Sequence, residues 1–264
     1  MSVQAWVSDR LPTERVHLDV AAAGRVSQAV LDAEVAHLRA EACGAYVAEA
    51  QSAAAVDQGR AALGHLVGLG GEDVLLTESA TLAFTTVLEA WPLPRGARIG
   101  VLPSEYGSNA RALRVRAAER GWELVTLATD DLGRVTEVPG GLDLVTLTHV
   151  ASQRGVVQPV GDVLTSGVPL LLDVAQSMGQ TDVPPGAAAY VGTSRKWLCG
   201  PRGVGFAVVD RAWHERLTLP PTLRSVEVEG MRRFDSSEAH VAGRVGLALA
   251  ARTWSPALLP VLQA

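Results

Sequence analysis

The chain has 264 residues, 48% of them hydrophobic and 19% charged, with a net charge of −5, enough for one large core or two unequal domains in a globular protein. No run of Lys or Arg supplies a footprint for nucleic acid or anionic lipid, no apolar run is long enough to span a bilayer, and "MSVQAWVSDRLPTER" lacks the basic-then-apolar order of a signal peptide. A cytoplasmic protein with no nucleic-acid or membrane partner is therefore expected. Cys43 and Cys199 are too few for a disulfide framework or a metal site, and both are expected to be buried as small apolar residues.

After an N-terminal arm over residues 1–25, "VSQAVLDAEVAHL" and "AAVDQGRAALGHLVGL" carry apolar residues at helical spacing, and two helices are predicted between residue 26 and about residue 68. Strand-like and helical runs then alternate. "DVLLTES" precedes the helical "LAFTTVLEAW", and "RIGVLPSEY" precedes "SNARALRVRAAERG". "WELVTLA", "LDLVTLTHV", "VPLLLDVA", "AAAYVGT" and "VGFAVVD" follow as further strands. This rhythm predicts an α/β fold with a mostly parallel sheet covered by helices on both faces. The last stretch, from "AHVAGRVGLALA", begins as another helix. Ligands of such sheets gather just beyond the strand ends, so those residues are the ones to inspect.

Three of them stand out. Of 23 basic residues, Lys196 alone is lysine; a desolvated lysine can lose its proton and attack a carbonyl, which a guanidinium cannot. Thr193, Ser194 and Arg195 precede it and offer hydroxyls and a cation to a phosphate. Ser79, Ala80 and Thr81 stand where a strand gives way to a helix, and serve either as an ordinary N-cap or as an anion cradle. Asp173 closes a very apolar strand with Gln176 three residues on, and a carboxylate there needs a cation or several donors, or a role as a helix cap. Gly200, Gly203 and Gly205 lack the dinucleotide-loop spacing and precede a strand, which disfavours a nicotinamide cofactor. An amine, a carboxylate and an anion cradle are together the requirements of pyridoxal 5'-phosphate (PLP) chemistry.

In order and separation, "HLDVAAAG", "ESATLA", "SEYGSN", "HVASQRGVVQPV", "DVAQSMG", "TSRKWLCGPRGVG" and "AHVAGRVGLALA" resemble the class V aminotransferase group, which includes cysteine desulfurases, kynureninase and isopenicillin N epimerase. Within it the chain is most similar to the carbon–sulfur lyases of ergothioneine biosynthesis. The resemblance implies the PLP-dependent transferase fold type I, with a PLP-binding large domain over 26–240 built on a mostly parallel seven-stranded sheet. Residues 241–264 would open a small C-terminal domain that is largely missing, so the 264 residues are expected to bind PLP more reliably than they turn over substrate. The resemblance also implies a homodimer.

By that resemblance Lys196 would hold the cofactor aldehyde and act as the base, Asp173 would pair with the ring nitrogen, and Gln176 would lie near the ring hydroxyl. Tyr106 would stack on the ring, and Ser79, Ala80, Thr81, Thr193 and Arg195 would hold the phosphate. Ser152 would touch the cofactor where desulfurases commonly have asparagine, and Ser237 would reach the phosphate across the dimer. Arg154 and Tyr46 are candidates to meet the substrate. The implied reaction is β-elimination from hercynylcysteine sulfoxide, giving pyruvate, ammonia and, once the released sulfenic acid is reduced, ergothioneine. The rivals are a cysteine desulfurase, for which neither Cys43 nor Cys199 is well placed as a mobile carrier, and a non-catalytic PLP-binding protein.

Overall fold

The computed structural model describes residues 3–218 and 228–259. In chain order its helices are α1 (Val3–Ser8), α2 (Gln28–Gly44), α3 (Tyr46–His65), α4 (Ala80–Ala90), α5 (Gly107–Arg120), α6 (Val160–Leu164) and α7 (Val241–Thr253). The strands are β1 (Val74–Thr77), β2 (Arg98–Val101), β3 (Glu123–Thr126), β4 (Ala128–Thr129), β5 (Val135–Glu137), β6 (Leu144–Thr148), β7 (Leu170–Asp173), β8 (Ala189–Thr193) and β9 (Gly205–Val209). Seven of them form one sheet in the order β1-β9-β8-β7-β6-β2-β3, with β4 and β5 making a separate two-stranded ladder. The neighbours from β8 through β7, β6 and β2 to β3 are parallel, and β9 alone runs against both its neighbours, β8 and β1. The expected α/β architecture and mostly parallel seven-stranded sheet are both present.

Successive side chains of a strand point to opposite faces, and here each face finds its own core. Leu170 and Leu172 of β7 join Leu63 of α3, Val67 just after it and Leu247 of α7 on one side, while Leu171 joins Phe84, Leu88 and Leu113 from α4 and α5 on the other. Fully burying such a side chain contributes about 1.5–3 kcal/mol, so these apolar runs are fixed in register by both layers. Expected strand runs shorten at their ends: "VPLLLDVA" becomes Leu170–Asp173, because Pro169 has no N–H for the ladder and the chain turns after Asp173.

The two predicted helices near the N-terminus form but run longer than their apolar periodicity, up to Gly44 and from Tyr46. The alanine-rich sequence between the periodic segments has high helix propensity, and the break falls on Ala45, whose φ is positive at 47°. Only Val30 and His37 of α2 are buried. Cys43, on the outer side of that helix, is exposed, against the expectation of burial, whereas Cys199 is buried as expected. The helix α7, expected to open a further domain, packs on α2 and α3, close enough that a Cβ at Gly59 would lie 2.3 Å from that of Ala248. No helix among the described residues is long and apolar enough to cross a membrane.

Candidate active site

The carboxyl ends of β6, β7 and β8 lie side by side, and the start of α4 faces them. Between them is a cleft lined by Thr148, Asp173, Lys196 and the Ser79–Thr81 segment. Asp173 ends β7, opposite Thr148 at the end of β6. Lys196 follows β8 in a turn held by the N–H of Cys199 donating to the Lys196 carbonyl at 2.9 Å and that of Gly200 donating to Ser194 at 3.0 Å. The N-terminal arm crosses over this turn: the Gly24 N–H donates to the Arg195 carbonyl at 2.6 Å. A Cβ on Gly24 would come within 2.3 Å of the Lys196 carbonyl oxygen, so the close approach requires glycine.

Ser79 is the N-cap of α4, its hydroxyl accepting from Leu82 N at 3.1 Å. The cap reading and the anion reading coexist, because the first-turn amides of a helix have no partner inside it, and Ser79, Ala80 and Thr81 all line the cleft. Thr193 and Arg195 line its other side. The ring of Tyr106 has the Lys196 amine 5.7 Å from its centre. Gln176 is held on both ends of its amide, donating to the Ala21 carbonyl at 3.0 Å and accepting from the Trp197 indole at 2.9 Å.

Burial is the dominant electrostatic influence. It pulls the Lys196 amine below the usual lysine range; Asp173 opposes that pull and Arg195 adds to it. It pushes the Asp173 carboxyl up, against hydrogen bonds from Ala175 N at 2.9 Å and Asn109 Nδ2 at 2.7 Å and the charge of Lys196. A second carboxyl, Glu105, is raised to about 7 by burial and then by Asp173, and burial lowers His149 to about 4. The site therefore holds a buried amine and a buried carboxyl in one cleft, each shifted by desolvation and each acting on the other's charge.

Ser152 also lines the cleft, whereas Arg154, Tyr46 and Ser237 do not. The Arg154 side chain lies against the Gly133 turn, Tyr46 is 81% exposed at the start of α3, and Ser237 is exposed ahead of α7. Asn109, Thr148 and Ala175 are lining residues that sequence reasoning missed. Asn109 had a signal: it stands three residues after Tyr106 in "EYGSN", one helical turn on and so on the same face. Thr148 had a weaker one, lying near the end of the expected strand "LDLVTLTHV".

Residues 16–255 match the model of the family described as aminotransferase class V. The chain is 39% identical over 259 residues to a probable hercynylcysteine sulfoxide lyase of Mycobacterium tuberculosis, covering 93% of this chain and 64% of that protein. It is 26% identical over 232 residues to a probable cysteine desulfurase of Methanothermobacter thermautotrophicus, covering 77% and 56%. The chain thus spans about three fifths of the length of these relatives. Among solved structures, a C-DES mutant with glycine covalently linked to the PLP cofactor superposes with a TM-score of 0.84 at 18% identity, covering 93% of this chain and 73% of that one. The apo cysteine desulfurase of Thermococcus onnurineus does so with a TM-score of 0.81 at 20% identity, covering 96% and 70%. At such identities the superpositions establish the fold.

Proposed function

The chain belongs to the class V aminotransferase family, and on that premise we propose that it binds PLP through Lys196 and serves a carbon–sulfur lyase acting on the β-sulfoxide of a cysteine conjugate, hercynylcysteine sulfoxide. The observation that carries the reading is the buried Lys196 amine sharing one cleft with the buried Asp173 carboxylate. The donor set fits the group at each of its functional ends: an amine for the aldehyde, a carboxylate for the ring nitrogen, and the α4 amides with Thr193 and Arg195 for the phosphate. When bound, PLP supplies an aldehyde and an electron-withdrawing ring that stabilises negative charge on the substrate's α-carbon.

The chain's own residues do the remainder. Lys196, whose amine burial pulls below the usual lysine range, would hold the cofactor's aldehyde and would take the α-proton at Nζ. Asp173, held by two donors, would present its carboxylate to the ring nitrogen and favour that nitrogen's protonated form. Tyr106 offers an aromatic face beside the amine. Sulfur leaves the β-carbon with its bonding pair, and pyruvate and ammonia follow by hydrolysis. A homodimer, with Ser237 reaching toward the partner's phosphate site, completes the reading.

A cysteine desulfurase is the competing assignment, favoured by relatives so described. It requires a mobile thiol, and Cys199 is 6% exposed, sits at φ 54°, and has its thiol pushed up by burial, so it is poorly suited to swing or to ionise. The full-length protein, supplied with PLP, is expected to release pyruvate from a cysteine-conjugate sulfoxide and little sulfide from cysteine. Sulfide from cysteine without pyruvate from the sulfoxide would establish the desulfurase instead, and neither product would leave a PLP-binding protein without this chemistry.

A further inference from the structure

Behind Asp173 lies a second acid for which the chemistry above has no use. Glu105, immediately before Tyr106, is buried at 6% exposure. Its Oε1 accepts from Tyr106 N at 2.8 Å, from Asn109 Nδ2 at 3.2 Å and from the Thr148 hydroxyl. Its Oε2 is buried with no hydrogen-bond partner among the described residues. Asn109 Nδ2 donates as well to Asp173 Oδ2 at 2.7 Å, so one amide group bridges the two carboxyls. Two like charges so placed in a buried site cannot both be ionised without a large cost. Asp173 has a donor on each oxygen and the cation of Lys196 facing it, whereas ionised Glu105 would leave a charged oxygen bare.

We propose that Glu105 is a positioning residue: it is the neutral member of a buried carboxyl pair whose charged member is Asp173, and the Asn109 amide shared between them aims Asp173 into the cleft. The inference rests on the PLP reading for what Asp173 is aimed at, but the pairing itself exists in the cofactor-free protein. The other charged or titratable groups at this end of the sheet are His149 after β6, and Arg195 and Lys196 after β8; of all these, Asp173 alone acts appreciably on Glu105. The folded-state value of Glu105, about 7, lies above its ordinary 4.5. The stability this difference contributes is therefore fully present below pH 4.5 and is lost as pH rises through about 7.

The first test needs no cofactor. Thermal unfolding of the PLP-free protein is followed from about pH 5 to about pH 8, and wild type is expected to lose about 5 °C or more in Tm beyond any loss shown by Glu105→Gln, whose amide imitates the neutral acid. Parallel pH profiles would overturn the assignment. The second test reads PLP affinity: Glu105→Gln keeps an acceptor for the three donors and is expected within about threefold of wild type, while Glu105→Ala weakens PLP about tenfold by freeing Asn109. Equal affinities in both variants, whether lost or retained, would overturn the positioning role. Should Glu105→Gln not fold, the infrared spectrum of wild type is expected to show a protonated-carboxyl band near pH 6 that vanishes by about pH 8, and its absence overturns the neutral assignment. Failure of wild type to bind PLP would defeat the functional reading while leaving the pH test to decide the carboxyl pair.

Discussion

At the carboxyl ends of β6, β7 and β8, Thr148, Asp173 and Lys196 are polar and buried, while on α2 and the start of α3 Leu38, Tyr46 and Val47 are apolar and exposed. Hydropathy alone sorts neither region. Burial at the strand ends is tolerated where a polar group meets a specific partner, as Thr148 does at Glu105 and Asp173 at Asn109 and Ala175, since an unpartnered one is expensive. The outer face of α2 has no such demand, since its helix is anchored from the opposite side by α7 and α3. The contrast teaches that the buried polar cluster is held there against its own solvation preference, the usual mark of a working site.

Substitutions can break or sharpen that contrast. The largest effect is expected for Lys196→Ala: carbon–sulfur cleavage by the PLP-supplied protein should fall about a thousandfold or more, with the circular dichroism spectrum unchanged. Next comes a buried polar pair with no part in the chemistry. Arg60 on α3 pairs with Asp235, whose other oxygen accepts from Leu76 N at 2.8 Å. Arg60→Ala should cost about 1.5–3 kcal/mol in urea unfolding by removing the nearer of two cations at that carboxylate, Arg244 remaining at 3.7 Å, while the cleft residues stay in place. Gly205→Ala should cost about 1–3 kcal/mol by overpacking, because its Cβ would stand 2.1 Å from the Ser79 carbonyl carbon. It should weaken PLP binding as well by displacing the start of α4. The smallest effect is expected on the exposed side, where Leu38→Ser should shift stability by no more than about 0.5 kcal/mol. A markedly larger loss would mean that this face is covered in solution.

The sheet was legible because β7 and β6 are nearly unbroken apolar runs, a pattern that burial on both faces demands. The amine and the carboxylate were legible because each is an anomaly in its setting: a lone lysine among arginines, and an aspartate closing "LLL". Asn109, Thr148 and Glu105 were not assigned roles, although "SEYGSN" drew attention through Tyr106, because each acts by completing another group's hydrogen bonds, and such pairing depends on strand register. Tyr46 and Arg154 were named as substrate candidates under the resemblance, and neither side chain lines the cleft. Exposure of Cys43 was hidden because alanine-rich helices carry few large side chains to mark which face is inward.

The central claim is tested most directly by adding PLP to the purified protein and recording its absorbance before and after borohydride. A band above about 400 nm that borohydride abolishes, with the cofactor then fixed to the peptide containing Lys196 and absent from Lys196→Ala, is the expected result. A cofactor that stays freely dialysable after borohydride, or becomes fixed equally in Lys196→Ala, would contradict it.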